Sequence, residues 1–203
     1  MIIPVDKEKV LQEFNEKYVK ERFNEEHSKI YEKFNNNKES TKKELISNFD
    51  HVCKIANSLQ NKSLKGKIQY IYISYLRTNI MQNSGIYRID MYDDKWFLDK
   101  EECSGNIKLS FIYEPLFKHS NELLEKRKEY GRTITEMDIE KIKISEGNKY
   151  NGIAIDILES IVCDFLNCES YKEMKKSEEI MIFVGEYRDE VKIIYENSPS
   201  KED

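Results

Sequence analysis

The sequence predicts an α+β fold, with a helical hairpin and further helices packed on a small antiparallel sheet made of a meander and a C-terminal hairpin. Three observations carry that prediction. Residues 7–61 set apolar side chains at helical spacing on otherwise charged segments. After Gly66 the texture changes to runs rich in Ile and Tyr, with strict alternation in "IYRIDMY". Helical spacing then returns, and the chain closes on "EIMIFVGEYRDEVKIIYE", two short apolar runs about a turn. Helices and strands grouped in separate blocks argue for α+β.

With 203 residues the chain is long enough for one domain with a core, and residues 1–197 are read as a single domain. Residues 7–61 form its helical hairpin. Leu11, Phe14 and Tyr18 share one face, and Phe23, His27, Ile30 and Phe34 continue it after a shift. "NNNKES" interrupts the pattern, and Thr41 with Glu44 reads as a capping box for a second helix carrying Leu45, Phe49, Val52, Ala56 and Leu59. Residues 67–99 are the meander. Tyr87, Ile89 and Met91 are expected to face the helices. Arg88, Asp90 and Tyr92 point the other way, partly exposed, and a short third strand is expected around Trp96–Leu98.

Residues 105–176 are read as helices. Leu109, Ile112, Leu116, His119 and Leu123 form one stripe, with Pro115 marking a kink or a helix start. Gly131 suits a helix end, and Thr135 with Asp138 suits a helix start. Tyr150, Ala154, Ile157, Ile161 and Phe165 form a further stripe. Residues 179–196 are two strands about a turn at Tyr187–Glu190, and residues 198–203 are a disordered tail.

The net charge is −5, with the stretch up to Gly66 slightly basic and the remainder acidic. Neither part has the basic excess of a phosphate-backbone binder, so no nucleic-acid partner is expected. Without an apolar run of transmembrane length or a signal-peptide core, the reading is a cytoplasmic protein with no membrane contact and four reduced cysteines.

Nucleotide, hydrolase, metalloprotease and kinase signatures are missing, and no segment matches the motifs of a named family. The reading assigns no catalytic residue, no cofactor and no metal. Cys163 and Cys168 lack chelating spacing, and Cys53 and Cys103 are isolated. Of the cluster Asp90, Asp93, Asp94 and Asp99, a β-turn would gather the last three as oxygen ligands for a hard cation, but the Ca²⁺-loop pattern is absent and aspartates beside a turn more commonly bond their own backbone. His119, on an apolar stripe, reads as a hydrogen-bonded core histidine.

Arg77, Arg88, Asp90, Tyr92, Trp96, Glu186 and Arg188 are the candidate binding residues, because aromatic and arginine side chains anchor interaction surfaces. The function expected is a non-enzymatic interaction or regulatory module that binds a protein partner through the helical hairpin or the Tyr/Trp/Arg-rich β-face. The alternative is an enzyme or small-ligand domain whose site collects Arg, Asp, Tyr and Glu dispersed over the sheet. A homo-oligomer held by the N-terminal helix is compatible with the same sequence.

Overall fold

The computed structural model describes residues 6–197. The expected tail, 198–203, lies outside the described residues. The fold is α+β with a small five-stranded sheet. In chain order the elements are α1 (Lys7–Tyr18), α2 (Arg22–Asn36), α3 (Lys38–Asn61), β1 (Ile68–Tyr75), α4 (Arg77–Met81), β2 (Ile86–Tyr92), β3 (Ser104–Lys108), α5 (Ser110–Lys126), α6 (Glu136–Ser160), α7 (Val162–Asn167), α8 (Glu169–Glu173), β4 (Lys176–Glu186) and β5 (Val191–Glu196). Backbone contacts divide the chain into two compact units.

The first unit takes residues 6–36, 78–85 and 110–153 of those described. Asp6 caps α1 by accepting hydrogen bonds from the backbone N–H groups of Glu8 (3.1 Å) and Lys9 (3.3 Å). Phe14, Val19, Leu123, Ile134, Ile139 and Ile142 form its core, with the Tyr18 and Tyr130 rings against Phe14. The α5 stripe is buried throughout, and Pro115 sits inside that helix rather than at its start. The Thr135–Asp138 start of α6 forms as expected. Asp138 accepts from Thr135 N (2.8 Å), and Asp138 N donates to Thr135 Oγ1 (3.3 Å).

The second unit takes residues 37–77, 86–109 and 154–197 and holds the whole sheet. Strand order is β3-β2-β1-β4-β5. β1, β2 and β3 are an antiparallel meander, and β4 and β5 are the expected C-terminal hairpin. The two join through a parallel β1–β4 pairing, so the sheet is mixed rather than wholly antiparallel. Ile71, Ile73, Tyr87, Ile89, Met91, Ile107, Ile182 and Val184 are buried, most of them on the face toward α3. There Val52 approaches Gly105 so closely that a Cβ at Gly105 would lie 2.5 Å from its methyl group. On α3, Phe49 is fully buried and stacks on Phe165 at 4.6 Å.

Three expectations are corrected. Residues 7–61 are three helices, not two, because the chain also breaks between Tyr18 and Arg22. The loop foreseen at 35–40 shrinks to Asn37, whose carbonyl accepts from Thr41 N. Thr41 is therefore inside α3 rather than capping it, and α2 and α3 fall in different units. The third strand of the meander is not at Trp96–Leu98, which is a 3₁₀ turn, but at Ser104–Lys108.

Candidate functional site

Alternation along β1 sends Tyr70 and Tyr72 to the face of the sheet opposite α3. Register then builds the rest of that face. Tyr70 pairs with Tyr92, Tyr72 with Asp90, and Ser74 with Arg88 on β2. On the other side Tyr72 lies beside Phe183, and Phe183 beside Ile193 of β5. Tyr72 and Phe183 stack at 4.6 Å, with their planes 8° apart.

The 3₁₀ turn lies over this platform. Trp96 Nε1 donates to Tyr72 Oη at 3.0 Å. Phe97 stacks on Trp96 at 4.6 Å and contacts the rings of Tyr72 and Tyr92. From the β4–β5 turn, the Arg188 guanidinium lies 5.3 Å from the centre of the Phe97 ring and 5.2 Å from that of Tyr187. Tyr72, Trp96, Phe97, Arg188, Asp189 and Val191 enclose a cleft of about 550 Å³. Its surroundings expose large apolar side chains: Trp96 at 45%, Ile193 at 46% and Leu98 at 81%.

Two cleft residues have left-handed backbone: Trp96 at φ 54° and Arg188 at φ 60°. For a bulky residue such as Trp this conformation costs on the order of 1–2 kcal/mol and persists only where the surroundings enforce it.

The turn that carries Trp96 is held by hydrogen bonds of Asp93, Asp99 and Lys65. Lys65 Nζ, with a side chain at 0% exposure, lies 2.6 Å from both Asp99 Oδ2 and the Glu101 carbonyl. Asp99 also accepts from Asp93 N and Glu101 N, while Asp93 accepts from Lys95 N and Gly66 N. The turn chemistry expected of these aspartates is thus what Asp93 and Asp99 form, and Asp99 alone of them meets the Lys65 ammonium group. Among the described residues no set of three or more His, Cys, Asp or Glu side chains is arranged to hold a metal ion.

The candidate residues divide. Trp96 and Arg188 line the cleft, and Tyr92 contacts it through Phe97. Arg88 donates from Nε to both Asp90 oxygens at 2.9 Å and from Nη2 to Glu102 at 2.9 Å. Asp90 was expected to be partly exposed, yet it is only 4% exposed, shielded beside Tyr72 on its neighbouring strand. Burial pushes its carboxyl above the usual range, and the Arg88 guanidinium opposes that rise. Arg77 and Glu186 close on each other at the ends of β1 and β4, with Nη2 2.8 Å from Oε2. They do not line the cleft.

Burial pushes the Tyr92 hydroxyl up to about 12, so it stays protonated. His119 is a core residue of the first unit, with Nε2 2.8 Å from the Tyr18 carbonyl oxygen, which it meets as a donor. Burial lowers its pKa and keeps the ring neutral.

Tyr72, Phe97, Phe183, Asp189, Val191 and Ile193 join the site without having been singled out. The alternation of "QYIYISY" already put Tyr70 and Tyr72 on one face. The remaining members come from segments far apart in the chain and carry no local signature.

Among the described residues no helix is long and apolar enough to cross a membrane. Comparison of the chain with protein-family models, curated proteins and solved structures finds no match.

Proposed function

We propose that the chain is a binding module whose partner is a protein, seated as an extended segment in the aromatic cleft of the sheet face. One observation carries this reading: Trp96 is held in left-handed backbone with its ring half exposed, inside a cleft lined by further aromatic side chains and an arginine. A ring kept in a costly conformation at the surface is an anchor of the kind that dominates binding energy.

The cleft's charges select the partner. Among the described residues no carboxylate lies within ion-pair distance of Arg188, and its guanidinium, stacked on Phe97, keeps its N–H groups free for an acidic group. Asp189, also lining the cleft, offers a carboxylate to N–H donors of a partner. A polypeptide with an acidic residue next to apolar ones supplies both. The sheet edges support docking on the face. β5 carries an irregularity where Ile182 pairs with Tyr195 and Phe183 with Ile193, and β3 presents Asn106 and Lys108. Both features discourage strand addition.

The test is selection of a displayed random-peptide library on the full chain. The expected winners combine an aromatic or aliphatic residue with Asp or Glu, and lose at least tenfold in affinity, about 1.4 kcal/mol, on Trp96→Ala and on Arg188→Ala. Winners that bind both variants as tightly as the parent would refute the reading. Saturable binding of a small aromatic acid alone, with no peptide enriched, would favour the small-ligand alternative, for which the cleft volume is also suitable.

A further inference from the structure

On α3, Asp50, Cys53 and Asn57 lie about a turn apart along one side. The two polar members grip the same residue: Ser170 N donates to Asp50 Oδ1 at 3.1 Å, and Asn57 Nδ2 donates to the Ser170 carbonyl at 2.9 Å. Cys53 sits between them. Cys168, two residues before Ser170, occupies the extended junction between α7 and α8 at φ −68°, ψ 147°. The gripped junction therefore places Cys168 against the stretch of α3 that carries Cys53, and each thiol shifts the titration of the other. Cys53 is fully buried and Cys168 is partly exposed, and both are free thiols.

We propose that Cys53 and Cys168 form a reversible disulfide in response to a peroxide, with Cys168 as the sulfur that meets the oxidant and Cys53 as the resolving thiol.

The environments of the two sulfurs differ in the way this division requires. The neighbouring Cys53 thiol lowers the Cys168 pKa, against burial and the Asp50 carboxylate, which raise it. The Cys168 thiol, and then burial, raise that of Cys53. A partly accessible sulfur beside a second, buried thiol is the arrangement of oxidant-sensing pairs. The Cys168 thiolate attacks one peroxide oxygen. The O–O bond breaks, a sulfenic acid forms, and the departing hydroxide takes up the thiol proton as water. The Cys53 sulfur then attacks Cys168 Sγ. The S–O bond breaks, the hydroxyl leaves as a second water with the Cys53 proton, and the S–S bond forms. Two thiols give up two electrons and one peroxide becomes two waters. A small thiol reductant reverses the link by exchange. The bond would fasten α3 to the α7–α8 junction, within the second unit and on residues the proposed cleft does not use.

The test treats the full chain with hydrogen peroxide, blocks the remaining thiols, and maps the digest by mass spectrometry. Expected is a Cys53–Cys168 linked peptide, with the thiols titratable after denaturation falling from four to two and recovering on reduction. In Cys53→Ser, Cys168 should persist as a sulfenic acid trapped by dimedone. If that variant does not fold, Cys53→Ala serves in its place, and the linked peptide of the parent chain decides the matter without either. No linked peptide, a Cys53–Cys103 link, or loss of Cys163 before Cys168 would each overturn the proposal.

Discussion

Trp96 combines the backbone strain of this face with the anchoring role proposed for it. Its backbone is left-handed and its ring is half exposed, with its indole N–H spent on Tyr72. Replacing it separates the two roles. Trp96→Gly should be more stable than Trp96→Ala by about 1 kcal/mol, since only glycine adopts that backbone freely. Urea denaturation of the two variants checks this, and equal midpoints would show the turn relaxing without strain.

Arg88 and Asp90 give the complementary case. With Asp90 buried, Arg88→Ala leaves a shielded carboxylate without its main partner and should cost about 1–3 kcal/mol. Arg88→Ala combined with Asp90→Ala should cost less than the single change, which a double-mutant cycle would reveal. The sequence showed that this pair shares a face. It could not show that the carboxylate is buried, because that depends on pairing with other strands.

Among the elements, those written in local periodicity were legible. The α5 stripe is buried from Leu109 to Leu123, and Tyr87, Ile89 and Met91 are buried as alternation required. β3 was not legible. "SGNIK" is a polar edge segment with Gly105 as its second residue, and only pairing to β2 makes it a strand. Trp96–Leu98 erred in the other direction, since strand-favouring residues form a 3₁₀ turn once Asp93 and Asp99 bond nearby backbone N–H groups around Lys65. Gly185 closes the last hairpin for a steric reason, because a Cβ there would lie 2.3 Å from the Glu190 carbonyl. At this scale the sharpest prediction concerns α3. Phe49→Ala should cost about 3–5 kcal/mol, because the side chain is fully buried against Phe165. An unchanged thermal midpoint would mean that the stacked pair contributes nothing.

Across the whole molecule, the carboxylates set how the protein meets acid. Burial pushes both Asp50 and Asp138 up, but hydrogen bonds outweigh it: from Lys54 and Ser170 at Asp50, and from Lys7 and Thr135 at Asp138. Each is held at about 2, against an ordinary 3.8. A folded pKa below the unfolded one contributes stability that is fully present above pH ~4 and is lost as the pH falls toward ~2. Asp90 acts in the opposite sense, its carboxyl being raised by burial. Asp50→Asn with Asp138→Asn should therefore flatten the fall in urea midpoint between pH 4 and 2, while lowering stability at pH 7. An unaltered slope would place acid sensitivity elsewhere.

The parallel β1–β4 pairing and the cleft itself belong to this largest scale. Tyr72, Trp96 and Arg188 come from three separated segments, and no local pattern records that they meet. We propose that this meeting place is the binding surface. Hydrogen–deuterium exchange of the full chain, with and without a selected acidic-aromatic peptide, tests it most directly. Expected is slowed exchange confined to residues 96–98 and 186–193 and lost in Trp96→Ala. Protection falling instead on α1 and α2, with residues 96–98 unchanged, would contradict it.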